Sequence, residues 1–154
     1  ATTPGSLEVA AHLVSLGADT QQIAFQLFER KTFAGARLWG QVIGGAELDR
    51  RRKIVFAFLT YAMLEREGVS PDELEGVAEY LRGIEEAEVV MLLKENADGS
   101  VRVSMRSRPA IDVSAIASAL DGGGHRQAAG CTLPGPMAGA RDALVAQFDA
   151  CYPG

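Results

Sequence analysis

The stretch LDGGGHRQAAGC, Leu120 to Cys131, places three consecutive glycines directly before one of the chain's two histidines. Consecutive glycines leave the backbone free to take positive φ, so that several N–H groups can converge on one concavity with no β-carbon in the way of a ligand. Such a nest favours an anion. His125 adds an imidazole able to donate or accept a hydrogen bond at its mouth, and Arg126 adds a fixed positive charge. One helical turn from His125 to Ala129 would turn further free N–H groups toward the same spot. The small residues Ala128, Ala129 and Gly130 let the segment pack close to a neighbour. A glycine-rich turn beside a lone histidine also reads as a plain turn.

A second feature shifts that balance. In VRVSMRSR, Val101 to Arg108, strand alternation puts Val101, Val103 and Met105 on one face and Arg102, Ser104, Arg106 and Arg108 on the other. Guanidinium forks match phosphate oxygens in bidentate geometry. Ser107, at the strand's end, is expected to turn its hydroxyl toward the ligand. Arg102 taken alone reads as an ordinary solvated position.

Several elements must position these groups. Leu7, Val9, Ala10, Leu13, Val14 and Leu16 mark a helix that Gly17 ends. Asp19 or Thr20 caps a second, with Ile23, Ala24, Leu27 and Phe28 on its apolar face, and a third runs from Phe33 to Ile43. KIVFAFL, from Lys53, is a buried strand, with a helix as the alternative through Tyr61 to Glu67. Ser70, Pro71 and Glu73 carry the cap, first-turn proline and capping-box acid of one further helix. A hairpin then turns at Ala97, Asp98 and Gly99. Asp112 caps a helix burying Val113, Ile116, Ala117 and Leu120, GCTL forms a short strand, and Met137 to Cys151 a last helix. Interleaved helices and strands predict an α/β fold: a mixed sheet of about four to five strands flanked by helices. Trp39, Phe56, Phe58 and Tyr61 fall in apolar patterns and are expected in the core, and DRRRK, Asp49 to Lys53, reads as a soluble linker.

Composition narrows the partners. With 154 residues and 47% of them hydrophobic, the chain is long enough to bury a real core. Twenty acidic against fifteen basic residues, net −5, argue against coating long nucleic acid and leave a small anionic ligand on a local basic face. The apolar run from Ile54 to Leu64 is too short for a membrane span and no secretory segment is visible, so a cytoplasmic location is expected. Cys131 and Cys151 are expected as free thiols, and with His12 and His125 they match no structural zinc spacing.

GGGHRQAAG, preceded by VSMRSR and IDVSAIASAL, resembles the DHH-associated domain, the substrate-binding C-terminal half of DHH-family phosphoesterases. TTP, LVSLGAD and LFE are similar to the last helices of the DHH catalytic domain, so the likeness covers nearly the whole chain. It is nearest to the nanoRNase type, which removes nucleotides from very short RNA and often dephosphorylates 3′-phosphoadenosine 5′-phosphate. The resemblance implies that residues 1–48 end the catalytic domain and 49–154 form the substrate domain. It places ligand contacts on Arg106, Ser107, Gly122, Gly123, Gly124 and His125. The Asp-His-His motif and two divalent cations, usually manganese, belong to an upstream catalytic part that this sequence lacks. No catalytic or metal-binding residue is therefore expected here, and the chain alone should not hydrolyse substrate. The implied partners are nucleotides or short oligonucleotides and the catalytic domain, with a second copy in a homodimer as a further candidate.

Two other functions share parts of this pattern. A cyclic dinucleotide phosphodiesterase uses the same two-domain plan. A non-catalytic nucleic-acid module, like the related C-terminal domain of alanyl-tRNA synthetase, would lack the TTP and LVSLGAD segments.

Overall fold

The computed structural model describes residues 2–153. Residues through Thr32 form one compact unit and those from Phe33 onward another. Leu38 and Val42 of the third helix are buried in the core beneath the sheet.

In the first unit, helix α1 (Pro4–Ser15) begins at a reciprocal cap: Ser6 N–H donates to the Thr3 hydroxyl and Thr3 N–H to the Ser6 hydroxyl. Asp19 caps α2 (Thr20–Ala24) through Gln22 N–H at 2.9 Å, and the helix widens into a π-helical turn, Phe25–Glu29. The apolar stripes read from the sequence are present here, yet none of these helical residues is buried.

The second unit is built on a six-stranded sheet in the order β1-β2-β3-β4-β6-β5. Its strands are β1 (Glu47–Asp49), β2 (Ile54–Leu59), β3 (Val89–Glu95), β4 (Val101–Ser107), β5 (Gly123–His125) and β6 (Ala128–Leu133). The short edge strands β1 and β5 carry no apolar alternation, which is why the sequence suggests about four to five strands. Only β2 and β3 run parallel. Their crossover passes through α4 (Tyr61–Glu67), a 3-10 turn (Pro71–Leu74) and α5 (Val77–Leu81). A parallel strand covered on both faces reads as a solid apolar run, as IVFAFL does. The helix expected from Ser70 is split in two: Gly76, at φ 88°, separates the 3-10 turn from α5.

Each face of the sheet has its own core. On one, Ile54, Phe56, Met91, Leu93, Val103, Met105 and Cys131 pack beneath α6 (Val113–Ser118) and α7 (Met137–Cys151), which contribute Ile116, Leu144 and Phe148. On the other, Val55, Ala57, Leu59, Val90 and Leu92 pack beneath α3 (Phe33–Gly44), α4 and α5. Burying one such aliphatic side chain contributes about 1.5–3 kcal/mol. The second core ends at β3. Beyond it the same face of β4 and β6 carries Arg102, Ser104, Arg106, Thr132, Gly130 and Ala128, all exposed or half-buried.

DRRRK is more than a linker. Arg52 donates to Asp49 at 2.7 Å and to both carboxylate oxygens of Asp149 at 2.7 and 2.6 Å, tying the β1–β2 turn to α7.

Candidate functional site

After α6 the chain reverses at Asp121, φ 56°, where Gly122 N–H donates to Ala117 C=O at 2.8 Å. The helical turn expected from His125 to Ala129 does not form. Instead β5 pairs with β6 through the two-residue turn Arg126-Gln127, matching Gly123 with Gly130, Gly124 with Ala129 and His125 with Ala128. The reason is that Ala128–Leu133 is already committed to β4 on its other side, and β5 extends that ladder by one strand. Of the three glycines only Gly124 takes positive φ, 143°, so the loop is not a continuous nest.

The three glycines have different reasons to be glycine. A β-carbon on Gly122 would lie against Gly130 C=O and 2.6 Å from Cys131 Cβ. One on Gly124 would come within 2.6 Å of Ala128 C=O and Ala129 Cα. Real β-carbons do not approach backbone that closely, so both positions are fixed by the packing of β5 on β6. At Gly123 a β-carbon would meet nothing within 4 Å.

That open space borders a pocket of about 560 Å³ lined by Arg102, Ser104, Arg106, Asp121, Gly122, Gly123 and the β6 segment 128–132. Strand register explains the grouping. Arg106 stands opposite Ala128, which stands opposite His125; Ser104 stands opposite Gly130, which stands opposite Gly123; Arg102 stands opposite Thr132. Directly paired residues share a face, and strands lie about 4.8 Å apart, so the β4 and β5 members of a row are separated by roughly 10 Å over a floor of small residues. Arg106, Gly122 and Gly123 thus line one concavity. Gly124 and His125 lie outside its lining, with His125 exposed in the same row as Arg106.

Arg106 is held in place. Its Nε donates to Glu79 Oε1 at 2.5 Å and its Nη1 to Met105 C=O at 3.0 Å. Burial works against ionisation of Glu79, but the hydrogen bond and charge of Arg106 outweigh it and hold the carboxyl below the usual glutamate range. The carboxylate offers the guanidinium the same paired-oxygen geometry that a phosphate would.

Ser107 is placed otherwise than expected. With Arg106 on the open face, the pleat puts Ser107 on the core face, fully buried. Its hydroxyl donates to Ile111 C=O at 2.7 Å and its N–H to Gln127 C=O at 3.2 Å, fastening the strand end to the next loop and to the β5–β6 turn. Arg108 lies past the end of β4 and donates to Ile84 C=O at 3.0 Å, away from the pocket. Arg126 is exposed beyond the pocket lining. Thr132, Asp121 and Glu79 join the constellation unforeseen. Thr132 was readable from alternation in AAGCTL, whereas nothing in the local sequence connects Glu79 to a strand 27 positions away.

Among the described residues no three His, Cys, Asp or Glu side chains gather as a metal site, so the residues present do not fit the cation pair implied for the catalytic part. Cys131 packs in the core beneath α6 and α7, where burial pushes its thiol pKa up, against a nucleophilic role. No helix among the described residues is long and apolar enough to cross a membrane.

Comparison with known proteins adds the following. Residues 53–152 match the DHHA1 domain model. The bifunctional oligoribonuclease and PAP phosphatase NrnA of Thermus thermophilus is 33% identical over 137 residues, covering 87% of this chain and 39% of its own length. A membrane protein–large ribosomal subunit bL9 fusion protein of Aster yellows witches'-broom phytoplasma is 27% identical over 136 residues, 87% of this chain and 15% of that one. Among solved structures, an exopolyphosphatase-related protein of Bacteroides fragilis superposes with TM-score 0.89 at 20% identity over 99% of this chain and 45% of its own. The pGpG-specific phosphodiesterase PggH of Vibrio cholerae superposes with TM-score 0.60 at 15% identity, over 97% and 52%. The two structural likenesses are likenesses of fold. The chain spans well under half the length of the curated relatives it matches.

Proposed function

Because the chain belongs to the DHHA1 domain family, we propose that it holds the phosphate-bearing end of a nucleotide or short oligonucleotide for a longer DHH-family phosphoesterase. The oligoribonuclease and PAP phosphatase activities in the name of the Thermus relative support short RNA and 3′-phosphoadenosine 5′-phosphate as substrates. Arg106 binds phosphate oxygens through its fork, Gly122 and Gly123 let the ligand approach the main chain, Gly124 sets the path of β5, and His125 closes the row at the far strand. Ser107 acts indirectly, by fixing the strand end from which Arg106 projects. Divalent cations, manganese in this reading, and the water they activate belong to a catalytic domain upstream. The chain by itself binds and does not hydrolyse, and the whole enzyme works in the cytoplasm.

One observation carries the reading: Gly123 lacks a side chain where packing would allow one, and the space left empty opens on the concavity that Arg106 lines. A turn glycine with a purely structural role would show a close backbone approach or positive φ, as its two neighbours do.

Calorimetric titration with 5′-AMP, pApA, pGpG and 3′-phosphoadenosine 5′-phosphate tests it. Binding that disappears in Arg106→Ala and Gly123→Val while the thermal midpoint holds is the expected result, with no hydrolysis on adding manganese. Binding indifferent to both substitutions refutes the site. Tighter binding of pGpG than of the adenine ligands would shift the substrate class to linear dinucleotides.

A further inference from the structure

Two rows along the open face from Arg106, past the Ser104–Gly123 row, lies a row that the contacts proposed for the terminal phosphate do not use. Lys94 of β3 stands directly opposite Arg102 of β4, which stands opposite Thr132 of β6. Like charges facing each other across a ladder destabilise the sheet, and a sequence under no other demand places an acid or a neutral residue there. Neither cation makes an ion pair among the described residues, Lys94 feeling only the longer-range attraction of Glu75, Asp72 and Glu79. Lys94 is also half-buried: desolvation first, and Arg102 second, lower its pKa. Two unneutralised cations and a neighbouring hydroxyl are thus gathered on a surface continuous with the pocket, whose lining already includes Arg102 and Thr132.

We propose that Lys94, Arg102 and Thr132 form a second anion subsite, which takes a further phosphate of a short oligonucleotide whose terminal phosphate lies at Arg106 and Gly123. The subsite rests on the reading above and extends it from nucleotide to linked nucleotides. Arg102 and Arg106 are four residues apart on one strand, about 13 Å between α-carbons at 3.3 Å per residue. A single phosphate cannot span that distance and a chain of linked nucleotides can. Ser104, midway on the same face, faces the intervening backbone. An anion bridging Lys94 and Arg102 removes their mutual repulsion on binding, so the charge pair favours ligands long enough to reach it.

The test compares 5′-AMP with pApApA on the unaltered chain and on Arg102→Ala, Lys94→Met and Arg106→Ala, with thermal midpoints confirming that each variant folds. The trinucleotide is expected to bind about tenfold tighter than the mononucleotide. Arg102→Ala and Lys94→Met each remove most of that advantage and leave mononucleotide affinity alone. Each also flattens the slope of log affinity against log salt for the trinucleotide by about 0.7, one phosphate contact on a single strand. If either variant weakens both ligands equally, or if neither variant weakens the trinucleotide, the subsite is overturned while the Arg106 site stands. If Arg106→Ala binds both ligands normally, the reading on which the subsite rests falls, and the subsite with it.

Discussion

Glu79, on α5, accepts a hydrogen bond from Arg106 Nε at 2.5 Å, so the guanidinium that faces the pocket is already engaged by a carboxylate from the covered half of the same sheet face. With side chains 28% and 50% exposed, the pair contributes at most about 1 kcal/mol to stability. Its consequence for binding is larger in sign than in size. An incoming phosphate competes with the carboxylate for the fork and is repelled by its charge.

Glu79→Gln is therefore expected to tighten binding of 5′-AMP by about three- to tenfold at low ionic strength, since an amide keeps an acceptor beside Arg106 and removes the repulsion. The gain should shrink at high salt, where exposed charges are screened. Titrations at two salt concentrations decide it. Weaker binding in the variant would mean that Glu79 positions the guanidinium more than it opposes the ligand.

The glycine triplet allows stability and binding to be separated. Gly122→Ala and Gly124→Ala force a β-carbon against backbone and are expected to cost about 1–3 kcal/mol of stability, read as a lowered denaturation midpoint. Gly123→Ala meets open space and normal φ, so its midpoint should stay within about 0.5 kcal/mol of the original while ligand affinity falls. Equal damage to folding at all three positions would make the triplet a turn and nothing more.

These positions also show what the sequence made legible. The arginine face of β4 follows from strict alternation in VRVSMRS, and α7 follows from its apolar spacing. The β5 strand does not, because GGH has neither alternation nor strand propensity and is held only by pairing with β6. The same pairing defeats the helical turn that His125 to Ala129 suggests locally. Ser107 departs from its expected place for a related reason: the residue after Arg106 must face the other way in a pleat, and the Arg-Ser adjacency in VSMRSR conceals it. Glu79 and Lys94 reach the site only through tertiary packing and strand register, which no local pattern encodes.

Ser107→Ala leaves the Ile111 carbonyl, and the end of β4 with it, without its buried donor. Such a loss costs about 1–3 kcal/mol, so the denaturation midpoint should drop. Affinity of the molecules that remain folded should change less than twofold, in contrast to Arg106→Ala, for which a loss of about 1.5–3 kcal/mol is expected from the missing charge-assisted bonds. A Ser107→Ala protein of normal stability and abolished binding would return the hydroxyl to direct ligand contact.

The Arg52 clamp predicts the acid limit of the sheet unit. For Asp49, burial opposes ionisation but the hydrogen bonds and charge of Arg52 prevail; for Asp149, the Arg52 hydrogen bond is the leading cause. Both carboxyls therefore ionise below the ordinary aspartate value of about 3.9. A carboxyl with a depressed folded pKa adds stability that is fully present above its unfolded value and lost as pH falls through the folded one. From neutrality to about pH 5 the clamp should leave the thermal midpoint flat, and below about pH 4 the midpoint should fall as the two aspartates protonate. Arg52→Leu should lower the midpoint at pH 7, and the gap to the unaltered chain should narrow as the pH falls below about 4 and the aspartates of the unaltered chain protonate. A gap that stays constant across that range would show that Arg52 stabilises the β1–β2 turn by packing its stem against α7, with no contribution from its charge.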